Sequence, residues 1–188
     1  AGGSKEGGPN ALLRLMQALR ERTNGLVLLT ATPMQVHPIE VWDLLSLLGM
    51  PAEWHAKAFL SFFEDVGQTN PAHDTLDRMA ALFQATERSF TPLTVEEAMQ
   101  ITGLSRLKAG KVLRALRDSA SIPRRQLESV ERQAAVKLLR SASPIRHLIS
   151  RHTRELLRRY FKAGKMSTPI ADRDVQDVFI QLTPDERQ

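Results

Sequence analysis

Residues 26–35 read LVLLTATPMQ: Leu26, Val27, Leu28 and Leu29 run directly into Thr30, Ala31, Thr32 and Pro33. Four bulky apolar residues ending at a turn signal predict a short strand, Leu26–Thr30, apolar on both faces as inside a parallel sheet. Burying those side chains is worth roughly 6–12 kcal/mol, at about 1.5–3 kcal/mol each, so the strand is expected to have neighbours on both edges. Pro33 has no N–H and ends the pairing. In open α/β sheets ligands sit beyond the carboxyl ends of the strands. Thr30 and Thr32 would then stand where hydroxyls reach phosphate-coordinating groups or a neighbouring strand's carboxylate. Threonines also finish strands well for purely structural reasons, and the tetrapeptide alone does not separate the two readings.

Upstream, residues 1–10 (AGGSKEGGPN) have the composition of a flexible linker. Ala11–Arg22 predicts a helix with Leu12, Leu15, Met16 and Leu19 on one face, Asn10 as N-cap and Thr23-Asn24-Gly25 as stop. Downstream, Pro38 opens a helix that carries Ile39, Val41, Trp42, Leu44, Leu45 and Leu48 and ends at Gly49-Met50-Pro51. Further helices are expected over 53–66 and 75–86. From Thr91 to Phe161 the pattern is helical, broken at Pro92, Gly103, 121–123 and 141–144. Val175–Leu182 alternates as a second strand. Thr183-Pro184-Asp185-Glu186 is a capping box, so the chain stops as a helix begins and reads as part of something longer.

The 188 residues carry a formal charge of +5 that is unevenly placed. Residues 1–103 hold 7 Lys/Arg against 12 Asp/Glu, residues 104–165 hold 17 against 4, and residues 166–188 hold 2 against 5. A basic block of this kind suits a polyanion, since each neutralised phosphate releases counterions; it also suits solvated helix faces packed on acidic neighbours. There is no cysteine, which excludes disulfides and thiolate metal sites. No apolar run is long enough for a membrane span and the N-terminus has no signal-peptide core, so no membrane partner is expected.

The segment LVLLTATPMQVHPIEVWDLLSLLGM, residues 26–50, resembles the third conserved motif and following helix of the Swi/Snf-type helicase-like ATPases. Thr30, Ala31, Thr32, Pro33 and Gln35 match the motif, and Glu40, Val41, Trp42, Leu44, Leu45 and Leu48 match the helix. Alanine at the motif's second position is closer to bacterial members. LISRHTRELLRRY with VFIQLTPDERQ resembles the close of the same family's first RecA-like lobe, with Arg151, Thr153, Arg154, Leu182, Thr183 and Pro184 matching. The resemblance implies a predominantly α chain with a few short strands: a partial α/β RecA-like lobe over 11–51 and 143–188, with a helical insertion at 52–142. It further implies a DNA-dependent ATPase or translocase as the parent protein, bacterial and cytoplasmic, with ATP and magnesium as its cofactors. Thr30, Ala31 and Thr32 would couple the ATP site to bound duplex, and Gln35, Arg151 and Arg154 would face nucleic acid. Duplex DNA is the implied partner, with RNA left open, together with the rest of the motor domain.

Phosphoryl transfer needs a glycine loop with a lysine for the phosphates and an acidic strand end for magnesium. No G-x-x-x-x-G-K-[ST] occurs, and Asp185-Glu186 follows Thr183-Pro184, where a helix start is expected rather than a DExx box. In the family both elements precede the TATP strand, which places them upstream of Ala1. This chain alone is therefore expected to bind no cofactor and to be inactive. An unpaired Leu26–Thr30 would be expected to pair with Val175–Leu182 or with a second copy of the chain.

Within the insertion, residues 93–118 (LTVEEAMQITGLSRLKAGKVLRALRD) have the layout of a helix-turn-helix. Thr94 with Glu97 predicts a capping box, Gly103 the turn and Ser105 the second cap. Ala109, Val112, Leu113 and Leu116 make an apolar face, and Arg106, Lys111, Arg114 and Arg117 lie largely opposite. DNA contact by this second helix and plain helical packing both fit, and Met99 sits where such motifs prefer a small residue. Pro144–Phe161 is expected to be one helix rimmed by Arg146, Arg151, Arg154, Arg158 and Arg159. His147 and His152 are five apart, off the spacing for a shared helical metal site, so no metal is expected. The rival to the motor reading is a non-enzymatic helical DNA-binding or regulatory module.

Overall fold

A computed structural model describes residues 10–30 and 38–171, and the chain divides into two units, 1–149 and 150–188. The protein is predominantly α: among the described residues there are ten helices and no strand. In the first unit these are α1 (Ala11–Arg20), α2 (Pro38–Leu47), α3 (Ala56–Asp65), α4 (His73–Ser89), α5 (Val95–Thr102), α6 (Arg106–Arg117), α7 (Ile122–Arg125), α8 (Ser129–Ser141) and α9 (Ile145–Leu148). The second unit holds α10 (Arg154–Lys162).

α1 begins as its sequence requires, with the Leu13 N–H donating to Asn10 Oδ1 at 2.8 Å. Its buried residue is Leu13, however, and of the expected stripe Leu12, Leu15, Met16 and Leu19 the three leucines are exposed and Met16 is half-buried. The expected strand at Leu26–Thr30 is not one. It forms no ladder, and Val27 and Leu29 are 82% and 94% exposed. A strand apolar on both faces exists only between neighbours. Of the two partners expected for it, Val175–Leu182 lies outside the described residues, as do the capping box at 183–186 and the linker at 1–9.

The core is formed by α3, α4, α5, α6 and α8, with α2 packed on α3 and α1 on α2. Trp54, just ahead of α3, is its largest member. Its indole N–H donates to Thr86 Oγ1 at 2.9 Å and to Leu82 O at 3.1 Å, which satisfies the one polar atom of a buried ring. Phe59 and Phe62 meet it edge-on at 6.4 and 4.7 Å between ring centroids. Trp42, on α2, is half-buried and donates Nε1 to Trp54 O at 2.6 Å, so it packs rather than stands free as a stacking platform. α4 lays Leu76, Met79, Ala80 and Phe83 along one side, at the 3–4 residue spacing of a buried helix face. No helix of the described residues is long and apolar enough to cross a membrane.

The single helix expected over 144–161 is in fact two. α9 ends at Leu148, residues 149–153 leave the helical path, and α10 restarts with the Leu156 N–H donating to Thr153 Oγ1 at 3.2 Å. Thr153 offers a cap that competes with helix continuation, because its hydroxyl accepts the amide that an unbroken helix would satisfy through its backbone.

Candidate nucleic-acid interface

α5 and α6 form the expected hairpin. Thr94 Oγ1 accepts from the Glu97 N–H at 3.1 Å and Glu97 Oε2 accepts from the Thr94 N–H at 2.9 Å, closing the capping box. Gly103 turns the chain at φ +73, a left-handed geometry that a side chain would strain. Ser105 stands at the N-cap of α6 without capping through its side chain. α8 packs against both helices, so α5, α6 and α8 make a three-helix group. Met99 is accommodated as a half-buried side chain against the core.

The basic residues of α6 are placed unequally. Arg106 pairs with Glu96 at 2.8 Å. Lys111 Nζ reaches Glu131 Oε2 at 2.6 Å, where the Glu131 side chain is 2% exposed. Burial alone would raise the Glu131 carboxyl. The Lys111 hydrogen bond, the Glu128 N–H and the charges of Lys111 and Lys108 together hold it below the usual carboxylate range. Arg117 clasps Glu87 with two hydrogen bonds, at 2.7 and 2.8 Å, and donates to Leu93 O at 2.6 Å. That fork–carboxylate contact raises the Arg117 guanidinium above its ordinary value against the opposing effect of burial. Arg114 is exposed, extends over Gly110, and makes no ion pair with the described residues. Of the five cations on this helix, Arg106, Lys111 and Arg117 are thus matched by carboxylates of α5, α8 and α4, while Lys108 and Arg114 are exposed.

Two contacts absent from the sequence reading complete the hairpin. Arg146 on α9 pairs with Glu97 at 2.8 Å; the Thr94 amide first, and then this guanidinium, lowers that carboxyl. Beside it His147 stacks on Phe90 with centroids 4.7 Å apart. Burial, then the adjacent Arg146 charge, lowers the imidazole, with Glu97 partly opposing.

In the second unit, Arg151 and Arg154 are exposed, and Arg154 donates to the carbonyl of Ala171. α10 carries Arg154, Arg158, Arg159 and Lys162 on its exposed side and half-buried Leu156, Leu157 and Tyr160 on the other. The regular recurrence at 154, 158 and 162 was available in the sequence as a four-residue period. Thr30 is exposed at the end of the first described stretch; Ala31, Thr32 and Gln35 lie outside the described residues.

Among the described residues no three His, Asp or Glu side chains converge as a metal site. An open cleft of about 380 Å³ is lined by Arg20, Glu21, Thr23, Asn24, Leu26 and Leu48. No protein-family model, curated protein or solved structure matches the chain.

Proposed function

We propose that the chain is part of the first RecA-like lobe of a Swi/Snf-like, DNA-dependent ATPase, interrupted by a helical module. The observation that carries this reading is the join of residues 26–35 to α2, where an apolar segment, Thr30-Ala31-Thr32-Pro33, Gln35 and the Trp42 helix follow in the family's order and spacing. Exposure of Val27 and Leu29 supports it, because such side chains call for flanking strands that the described residues do not place around them. In the parent protein Thr30 and Thr32 would link nucleotide state to duplex grip, and the packed helices from α3 to α8 would ride on the lobe as a separate body.

The test uses the longer protein containing the residues upstream of Ala1. Duplex DNA should stimulate ATP hydrolysis there, and Thr30→Val with Thr32→Val should lower the stimulated rate by roughly 5–150-fold, the scale of a coupling free energy of about 1–3 kcal/mol. A longer protein with no hydrolysis, or a variant with undiminished stimulation, overturns the assignment. It would leave the rival reading, a helical module without enzymatic activity.

A further inference from the structure

We infer that the outer side of the α6–α8 pair is a docking surface for an acidic amphipathic segment of a partner protein, one that interleaves carboxylates with large apolar side chains. Leu107 on α6 and Val130 on α8 are 78% and 56% exposed, whereas every other aliphatic residue of these two helices is buried. Lys111 stands one turn beyond Leu107 and reaches Glu131, the residue after Val130, at 2.6 Å. That ion pair ties the two helices together beside both outward aliphatic side chains.

The cations follow the same plan on both helices. Arg114 lies seven residues beyond Leu107, and Lys137 seven beyond Val130. Each therefore shares a side of its helix with the aliphatic residue, about 10 Å along the axis at about 1.5 Å per residue. Lys108, Arg114 and Lys137 are exposed and make no ion pair with the described residues. The carboxylates at the start of α8 are already engaged. Glu131 accepts from Lys111 and from the Glu128 N–H, and Glu128 accepts from the Glu131 N–H in the capping box. Lys108 acts on Glu131 through its charge alone. Positive charge is thus left for an outside carboxylate to meet.

The mixture of groups selects the partner. A phosphate backbone is gripped by charged and polar groups, and it would leave Leu107 and Val130 uncovered. An acidic segment with apolar side chains a helical turn apart covers the aliphatic pair and meets the cations in one docking event. Both helices are packed into the core on their other sides, so the surface is formed before any partner arrives. It lies within the first unit, needs no ATP site and does not rest on the motor reading.

The experiment measures binding of the 188-residue chain to a labelled peptide of glutamate, alanine and leucine, with leucine at every third or fourth position, by fluorescence anisotropy across a salt series. Leu107→Ser with Val130→Ser should weaken binding about tenfold, as two aliphatic side chains lose their cover. Lys108→Gln with Arg114→Gln should also weaken it about tenfold, and should flatten its salt dependence. All four side chains are exposed, and either pair carries the test if circular dichroism finds the other variant unfolded. Arg159→Gln with Lys162→Gln on α10 should change affinity by less than about twofold, the result for cations outside the surface. No binding of the peptide, equal binding of a peptide with serine at every leucine, or an equal loss from the α10 variant would each overturn the inference. So would a labelled mixed-sequence duplex that binds through Lys108 and Arg114 while the peptide does not. Failure of ATP hydrolysis in the longer protein would leave it standing.

Discussion

Arg124 follows a proline in a four-residue helix and looks like surface charge in the sequence, yet it is 5% exposed. Its Nε donates to Asp77 Oδ1 at 2.5 Å, and its Nη1 donates to Ala115 O at 3.0 Å and Asp118 O at 2.6 Å. Gln84 adds hydrogen bonds to Leu116 O at 2.8 Å and Asp118 O at 3.0 Å. Together they satisfy carbonyls at the end of α6 that no intrahelical donor can reach. Arg124→Ala should cost about 3–5 kcal/mol in urea unfolding, because Asp77 and two carbonyls lose their donor inside the protein. Arg124→Lys should recover little, since one ammonium does not reproduce a fork aimed at three acceptors. Glu131 gives a pH signature. Its folded carboxyl lies below the ordinary range, so the unfolded chain binds more protons there. The stability it contributes is complete above about pH 4.3, the unfolded value, and is lost as pH falls through the lower folded one. Glu131→Gln should lower stability at neutral pH by about 1–3 kcal/mol, a buried-pair loss reduced because Lys111 is partly exposed. It should also flatten the acid limb of the stability curve, and an unchanged limb would remove Glu131 from that role.

At the scale of elements, local signals located what local chemistry controls. The Asn10 cap, the Thr94–Glu97 box, the Gly103 turn and the Pro38 start are all present, because each needs only residues within one helical turn. Thr94→Ala should cost about 1 kcal/mol, and Gly103→Ala about 1–2 kcal/mol for a side chain in the left-handed region, both readable as shifts in thermal midpoint. Local signals failed where two local preferences compete. The apolar period across 145–160 fits one helix, but Thr153 caps a new one, and α9 and α10 fall in different units. They failed again at Leu26–Thr30, where strand propensity is high but pairing depends on residues far away in sequence.

Across the whole molecule, the first unit divides into a well-filled group, α3 to α8, and a sparser N-terminal part. Leu12, Leu15, Leu19, Val27 and Leu29 are exposed there although their patterns are those of buried faces. On the proposed motor reading, the remaining strands of a sheet would cover them. In this chain by itself, Leu15→Lys with Leu19→Lys should therefore change unfolding free energy by no more than about 0.5 kcal/mol, the range of ordinary surface substitutions. A loss of several kcal/mol would mean that the stripe is buried in solution.

The amino-acid order by itself determined that this protein is mainly helical, where most helices begin, where the hairpin turns, and that positive charge concentrates beyond residue 103. Each of these follows from side chains acting on their own backbone or summing regardless of geometry. Only the tertiary structure decided which cations remain outward. Lys111 meets Glu131 twenty residues on, Arg117 meets Glu87 thirty residues back, and Arg124 meets Asp77 forty-seven residues back. Ion pairing falls off over a few ångströms, and no sequence interval measures that distance until the helices have packed.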